Sequence, residues 1–134
     1  MGADKVVLIV DDDHAVLETM RMLLEGKGGF EVHCAVGSKG AIHFLSTEQR
    51  VDVVIADVIL AGETTGIQVC EQAVIRHPEA ALVVISAEPS IDPQTLPERG
   101  YFLRKPFGGN ELITAIERAA AFASLGLTEA LPDP

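Results

Sequence analysis

The stretch Lys5-Val-Val-Leu-Ile-Val-Asp-Asp-Asp13 leads from an uninterrupted apolar run directly into three acidic residues. A continuous run of aliphatic and β-branched side chains is typical of a strand buried on both faces, as in parallel sheets covered by helices. The adjacent carboxylates repel one another unless they face solvent or a cation. The sequence therefore predicts a central strand that places an acidic cluster at one edge of a parallel sheet.

Four further apolar runs follow, and most are separated by segments with apolar residues at helical spacing, such as Val16–Leu24. The predicted strands are Lys5–Val10, Phe30–Val36, Val51–Ala56, Ala81–Ile85 and Tyr101–Leu103. Ser38 and Asn110 are predicted to cap the second and the last helix, because their side chains accept hydrogen bonds from free N–H groups. The alternation of strands and helices predicts an α/β fold with an open, doubly wound parallel sheet.

The segment between the last two predicted strands departs from this alternation. It holds Pro89, Pro93 and Pro97 at intervals of four residues, and a proline in a helix interior costs about 3 kcal/mol. We therefore expect the helix in this segment to be shortened or irregular.

The length and charge of the chain limit its organisation and its partners. Its 134 residues fit one domain, expected over residues 1–124, with a frayed tail over residues 125–134. A net charge of −10 argues against nucleic acid and against anionic membranes as direct partners. No apolar run approaches the roughly 20 residues that span a bilayer. No signal peptide is visible, and two cysteines give no disulfide framework, so we expect a cytoplasmic protein.

Polar residues follow several predicted strands, at the edge where doubly wound sheets bind their ligands. Asp11 and Asp12 follow the first strand, Asp57 the third, Ser86 the fourth and Lys105 the fifth. Carboxylate oxygens suit Mg²⁺. A carboxylate can attack phosphorus when cations neutralise the charge between the two groups. The lysine offers a compact positive charge and the serine a hydrogen-bond donor, so phosphoryl chemistry is predicted at this edge.

These residues carry a family resemblance over about residues 5–123. Val10-Asp11-Asp12, Asp57, Ser86-Ala87 and Lys105-Pro106-Phe107 resemble, in order and spacing, the receiver domains of two-component response regulators. The resemblance implies a flavodoxin-like (βα)5 fold with five parallel strands in the order 2-1-3-4-5. Its fourth helix is the one expected to be shortened or irregular here.

The resemblance also implies a role for each acidic residue. Asp57 would be the phosphoacceptor. Asp11, Asp12 and Asp57, together with the backbone carbonyl of Ile59, would hold Mg²⁺.

The remaining site residues are implied in the same way. Lys105 would bind the phosphoryl group and be joined to Pro106 by a cis peptide bond. Ser86 would be the switch hydroxyl, and Phe102, three residues before the lysine, would be the switch aromatic residue. In the mechanism that the resemblance implies, the hydroxyl moves toward the phosphoryl group as the ring turns inward.

The implied function is that of a phosphoacceptor signalling domain in a phosphorelay. Its phosphoryl donor would be a phosphohistidine on a histidine kinase or a histidine phosphotransfer protein, and its output would be altered binding of a downstream protein. Such a domain catalyses only its own phosphorylation and dephosphorylation. It would be a monomer or a weak homodimer, and either a stand-alone receiver or part of a larger chain such as a hybrid histidine kinase.

Two other interpretations are open at this point. Asp11-Asp12-Asp13 also provides the Asp-x-Asp of haloacid-dehalogenase-like phosphatases, although that family needs another acidic pair after the lysine and the only later aspartate is Asp133. A degenerate receiver that binds partners without phosphorylation is disfavoured, because all the central residues are present.

Overall fold

Five parallel strands form one sheet in the computed structural model, which describes residues 4–47, 49–58, 66–86 and 100–125. The strands are β1 (Lys5–Asp11), β2 (Phe30–Val36), β3 (Val53–Asp57), β4 (Ala81–Ser86) and β5 (Gly100–Arg104). Their order across the sheet is β2-β1-β3-β4-β5. The predicted doubly wound, flavodoxin-like sheet with strand order 2-1-3-4-5 is therefore confirmed.

The described residues form four helices around this sheet. They are α1 (His14–Lys27), α2 (Gly37–Leu45), α3 (Gly66–Arg76) and α4 (Gly109–Leu125). The segment predicted to hold a shortened or irregular helix lies outside the described residues over 87–99. Of the predicted tail, residues 125–134, Leu125 ends α4 and residues 126–134 lie outside the described part of the chain. Within the described ranges, no helix is both long enough and apolar enough to cross a membrane.

Two apolar layers cover the two faces of the sheet. Leu8, Val54 and Val84 face the layer that α2 and α3 complete, which we call the α2/α3 layer. Ile9 and Ile55, one position further along their strands, face the layer completed by α1 and α4, the α1/α4 layer. Because side chains alternate along a strand, each central strand serves both layers. This explains why the strands appear as continuous apolar runs in the sequence.

The predicted N-cap of the second helix is wrong by two residues. Helix α2 begins at Gly37 with Val36 as its N-cap, and Ser38 is buried in the first turn. Gly37 has a φ of +86°, a conformation that glycine adopts without the steric cost that other residues incur. The glycine therefore allows the helix to start directly after the strand.

The predicted cap of the last helix is also wrong, for a different reason. Helix α4 begins at Gly109, so Asn110 already lies within its first turn. The carboxylate of Glu111 accepts a hydrogen bond of 2.7 Å from the N–H of Gly108. This bond, one of the two that form a capping box, stabilises the helix start without the asparagine.

The contribution of the sheet interior to stability can be tested by replacing isoleucine with alanine at a buried and at an exposed position. Ile55 is completely buried in β3, whereas Ile75 on α3 is 68% exposed. Truncation of a buried isoleucine removes apolar contacts and leaves a cavity, so we expect Ile55→Ala to lower the free energy of unfolding by about 2–5 kcal/mol. We expect Ile75→Ala to change it by no more than about 0.5 kcal/mol. Urea denaturation of both variants measures the difference, and equal losses would contradict the assignment of the core.

Candidate functional site

The carboxyl ends of the strands bring the predicted site residues to one edge of the sheet. Asp11 ends β1, Asp57 ends β3 and Ser86 ends β4, and these strands are neighbours in the sheet. Lys105 follows β5, and its backbone N–H donates a 3.0 Å hydrogen bond to the carbonyl of Ser86. This bond extends the β4–β5 pairing by one residue and fixes the backbone from which the lysine side chain starts.

The ammonium group of Lys105 lies between two carboxylates. Its Nζ atom is 2.8 Å from Oδ2 of Asp57 and 3.2 Å from Oδ2 of Asp11. The side chains are only 23%, 13% and 6% exposed for the lysine, Asp57 and Asp11, respectively. Hydrogen bonds between charged groups are stronger than neutral ones and gain further from partial exclusion of water. The lysine therefore joins the ends of β1, β3 and β5.

The pKa of Lys105 reflects opposing influences. Partial burial alone lowers the pKa of this ammonium group, but the hydrogen bond and negative charge of Asp57, together with the charge of Asp11, raise it above its ordinary value of 10.5. The side chain is therefore protonated at neutral pH. It supplies a permanent positive charge to the two carboxylates.

The three consecutive aspartates have different surroundings. Asp11 accepts a 2.9 Å hydrogen bond from the N–H of Asp13, and Asp13 caps α1 by accepting a 2.8 Å bond from the N–H of Ala15. The side chain of Asp12 is exposed, and a Cβ atom added to Gly37 would lie 3.4 Å from its Oδ1 atom. Asp13 thus serves the helix, whereas Asp11 contributes its other oxygen to the lysine.

The carboxylates fit a magnesium ion better than a softer metal. Among the residues that the structure describes, no group of three or more His, Cys, Asp and Glu side chains is arranged to hold a metal. Mg²⁺ does not need such a group, since one or two carboxylates, waters and a phosphate usually bind it. Asp11 and Asp57 approach the same ammonium group, and their hard oxygens suit this ion. The predicted carbonyl ligand, Ile59, lies outside the described residues.

Ser86 and Phe102 lie on the same face of adjacent strands. In the parallel register, Val84 is opposite Phe102 and Ser86 is opposite Arg104. Because side chains alternate, Ser86, Phe102 and Arg104 all face the side of the α2/α3 layer. Ser86 is only 1% exposed, and Phe102 is half-buried and packs against that layer. The predicted cis peptide bond between Lys105 and Pro106 is present.

Gly66 is a site residue whose role was not predicted. Its N–H donates a 3.1 Å hydrogen bond to the carbonyl of Val58, and a Cβ atom at this position would clash with the backbone carbonyl of Asp57. The start of α3 therefore packs directly against the backbone that carries the predicted phosphoacceptor. The only signal in the sequence is the glycine itself, because the close approach depends on tertiary structure.

Comparison with known proteins identifies the family. Residues 7–117 match the family model of the response regulator receiver domain. The chain belongs to this family. As a receiver domain of two-component response regulators, it is a regulatory module, which decides against the interpretation as a haloacid-dehalogenase-like phosphatase.

Solved receiver structures have the same fold. A response regulator receiver protein from Sinorhizobium medicae WSM419 is 25% identical, with a TM-score of 0.81, and the match covers 90% of this chain and 97% of that one. A receiver domain protein from Clostridium thermocellum is 24% identical, with a TM-score of 0.78 and coverage of 92% and 99%. NtrX from Brucella abortus is 26% identical, with a TM-score of 0.78, and the match covers 91% of this chain and 28% of NtrX.

The close approach at Gly66 predicts a position-specific effect of a single methyl group. Gly66→Ala forces the Asp57 backbone or the start of α3 to move, so we expect a loss of about 1–3 kcal/mol in the free energy of unfolding. Gly26→Ala, in a helix position with no atom within 4 Å of the added carbon, is the matched control and should stabilise the protein by about 0.4–1 kcal/mol. Urea denaturation compares the two. A neutral Gly66→Ala would contradict the close packing.

The raised pKa of Lys105 predicts a pH dependence of stability. A group with a raised pKa in the folded state contributes stability that is fully present below its unfolded pKa and is lost as pH rises through the folded pKa. We therefore expect the free energy of unfolding of the wild type to fall above about pH 10.4. In Lys105→Met the contribution of this ammonium group is missing, so the free energy of unfolding should fall less over the same pH range. Urea denaturation between pH 9 and pH 12 provides the test, and parallel curves for the two proteins would contradict it.

Proposed function

We propose that this receiver domain accepts a phosphoryl group on Asp57 from a phosphohistidine of a histidine kinase or a histidine phosphotransfer protein. The observation that carries the proposal is the contact of Lys105 with both Asp57 and Asp11. An attacking carboxylate and an incoming phosphoryl group are both negatively charged, and a fixed ammonium group beside the carboxylate reduces their repulsion. The position of Asp57 at the end of a buried strand limits the movement of the nucleophile.

In the proposed reaction, an Oδ atom of Asp57 attacks the phosphorus atom of the donor. The P–N bond to the donor imidazole breaks as the new P–O bond forms, and the bonding electron pair remains on the imidazole nitrogen. The product is an acyl phosphate. Lys105 turns from the Asp57 carboxylate toward the phosphoryl oxygens, and the hydroxyl of Ser86 donates a hydrogen bond to one of them.

Magnesium is the proposed cofactor. Asp11, Asp12 and Asp57 would hold it, directly or through waters that Mg²⁺ retains, with the backbone carbonyl of Ile59 as a further ligand. When bound, the ion neutralises negative charge on the phosphoryl oxygens. The exposed carboxylate of Asp12 and the largely buried one of Asp11 would approach it from the end of β1.

Phosphorylation then changes which proteins the receiver binds. The hydroxyl of Ser86 moves toward the phosphoryl group, and the half-buried ring of Phe102 turns inward on the same face of the sheet. Such a change is a shift between two populations, driven by the stronger binding of the phosphoryl group to one of them. The output would be a downstream protein partner, and the protein would act in the cytoplasm as a monomer or a weak homodimer.

Phosphorylation by a small donor tests the proposal without knowledge of the natural kinase. We expect incubation with acetyl phosphate and Mg²⁺ to add one phosphoryl group to the wild type, detected by intact-mass spectrometry. Asp57→Asn should give no adduct, because an amide is not a competent nucleophile. Omission of Mg²⁺ should reduce the adduct by at least about tenfold, because charge neutralisation by the metal is worth several kcal/mol.

Asp13→Asn is the matched control, since Asp13 is the neighbouring acid that caps α1 and an asparagine also caps helices. It should give the same adduct as the wild type. An adduct of equal size on Asp57→Asn would contradict the assignment of the phosphoacceptor. If neither acetyl phosphate nor a phosphohistidine donor protein modifies the wild type, a receiver that works without phosphorylation is the remaining interpretation.

A further inference from the structure

Arg104 contacts the ring of Phe102, the proposed switch residue. This contact has no role in the proposed phosphoryl transfer. Its guanidinium carbon lies 5.5 Å from the centroid of the Phe102 ring. A cation this close to the face of an aromatic ring is attracted by the electron-rich face. Arg104 is exposed, whereas Phe102 is half-buried. The guanidinium therefore approaches the ring from the solvent side of the α2/α3 layer.

The register of the sheet connects this pair to the phosphorylation site. Arg104 lies opposite Ser86 in the β4–β5 pairing, and the next residue, Lys105, donates its N–H to the carbonyl of Ser86. The backbone of Arg104 is thus held between the switch hydroxyl and the phosphoryl-binding lysine. Lys105 binds the unmodified Asp57 carboxylate in this arrangement, so the contact between Arg104 and the ring belongs to the unphosphorylated protein. An inward turn of the Phe102 ring would carry the ring away from the solvent side, where the guanidinium lies.

We propose that Arg104 is a positioning residue that restrains Phe102 in the unphosphorylated arrangement. The proposal rests on the function proposed above, in which the inward turn of the ring accompanies phosphoryl binding. A contact made in only one of two states shifts the equilibrium toward that state, and by linkage it weakens any ligand that favours the other. Arg104 thereby lowers the affinity of the Asp57 site for a phosphoryl group and raises the threshold for switching.

Beryllofluoride, which mimics a phosphoryl group on a carboxylate, provides the test. We expect Arg104→Gln to bind beryllofluoride about two- to fivefold more tightly than the wild type in the presence of Mg²⁺, measured by titration calorimetry. Arg118→Gln removes the same charge from an exposed position on α4 and should leave the affinity unchanged. In a Phe102→Leu background, Arg104→Gln should have no further effect, because the ring that it restrains is absent.

The direction in which the beryllofluoride affinity of Arg104→Gln changes shows whether Arg104 restrains the Phe102 ring or binds the anion directly. Weaker beryllofluoride binding by Arg104→Gln would overturn the proposal, because it would assign the guanidinium to holding the anion. An unchanged affinity, or an increase that persists in the Phe102→Leu background, would overturn it as well. A wild type that binds no beryllofluoride would instead overturn the proposed function, on which this inference rests.

A second measurement observes the contact itself without any ligand. In protein labelled with 4-fluorophenylalanine, the ¹⁹F resonance of Phe102 is the one missing from Phe102→Leu. We expect this resonance to shift in Arg104→Gln and to stay in place in Arg118→Gln. An unchanged resonance in Arg104→Gln would show that the guanidinium does not act on the ring.

Discussion

The site depends on one positive charge placed between two negative ones. Without the ammonium group of Lys105, the carboxylates of Asp11 and Asp57 would face each other at the ends of neighbouring strands, with little water to screen their repulsion. The lysine satisfies both, and its own pKa rises as a result. Because Asp11 ends β1, Asp57 ends β3 and Lys105 follows β5, the contact also requires the strands from β1 to β5 to be side by side. The arrangement of the site residues therefore depends on the assembly of these strands.

The fold was predictable because strands that are buried on both faces appear in the sequence as continuous apolar runs. The apolar runs of β1, β3 and β4 predicted the strands to within two residues. The placement of Asp11, Asp57 and Lys105 at one edge followed from the rule that parallel strands end together. Cys70 on α3 is completely buried, and burial raises the pKa of its thiol to about 12.

The details that could not be predicted depend on contacts between distant parts of the chain or on single backbone angles. Ser38 has the right chemistry for a cap, but the φ of Gly37 starts the helix before it. The approach of Gly66 to the Asp57 carbonyl becomes visible only when α3 is placed against β3. The pairing of Phe102 with Arg104 follows from strand alternation once β5 is known. The metal ligands and the switch roles remain predictions, supported by the family and by the charges at the sheet edge.

The alternation of side chains along β4 and β5 places neighbouring residues on opposite faces of the sheet. Ser86, Phe102 and Arg104 all lie on the side of α2 and α3, whereas the residues between them, such as Ile85 and Leu103, pack with α1 and α4. The turn proposed for Phe102 would therefore take place on the α2/α3 side of the sheet. A partner that binds this side would meet the ring directly, whereas a partner on the opposite side would be separated from it by the sheet.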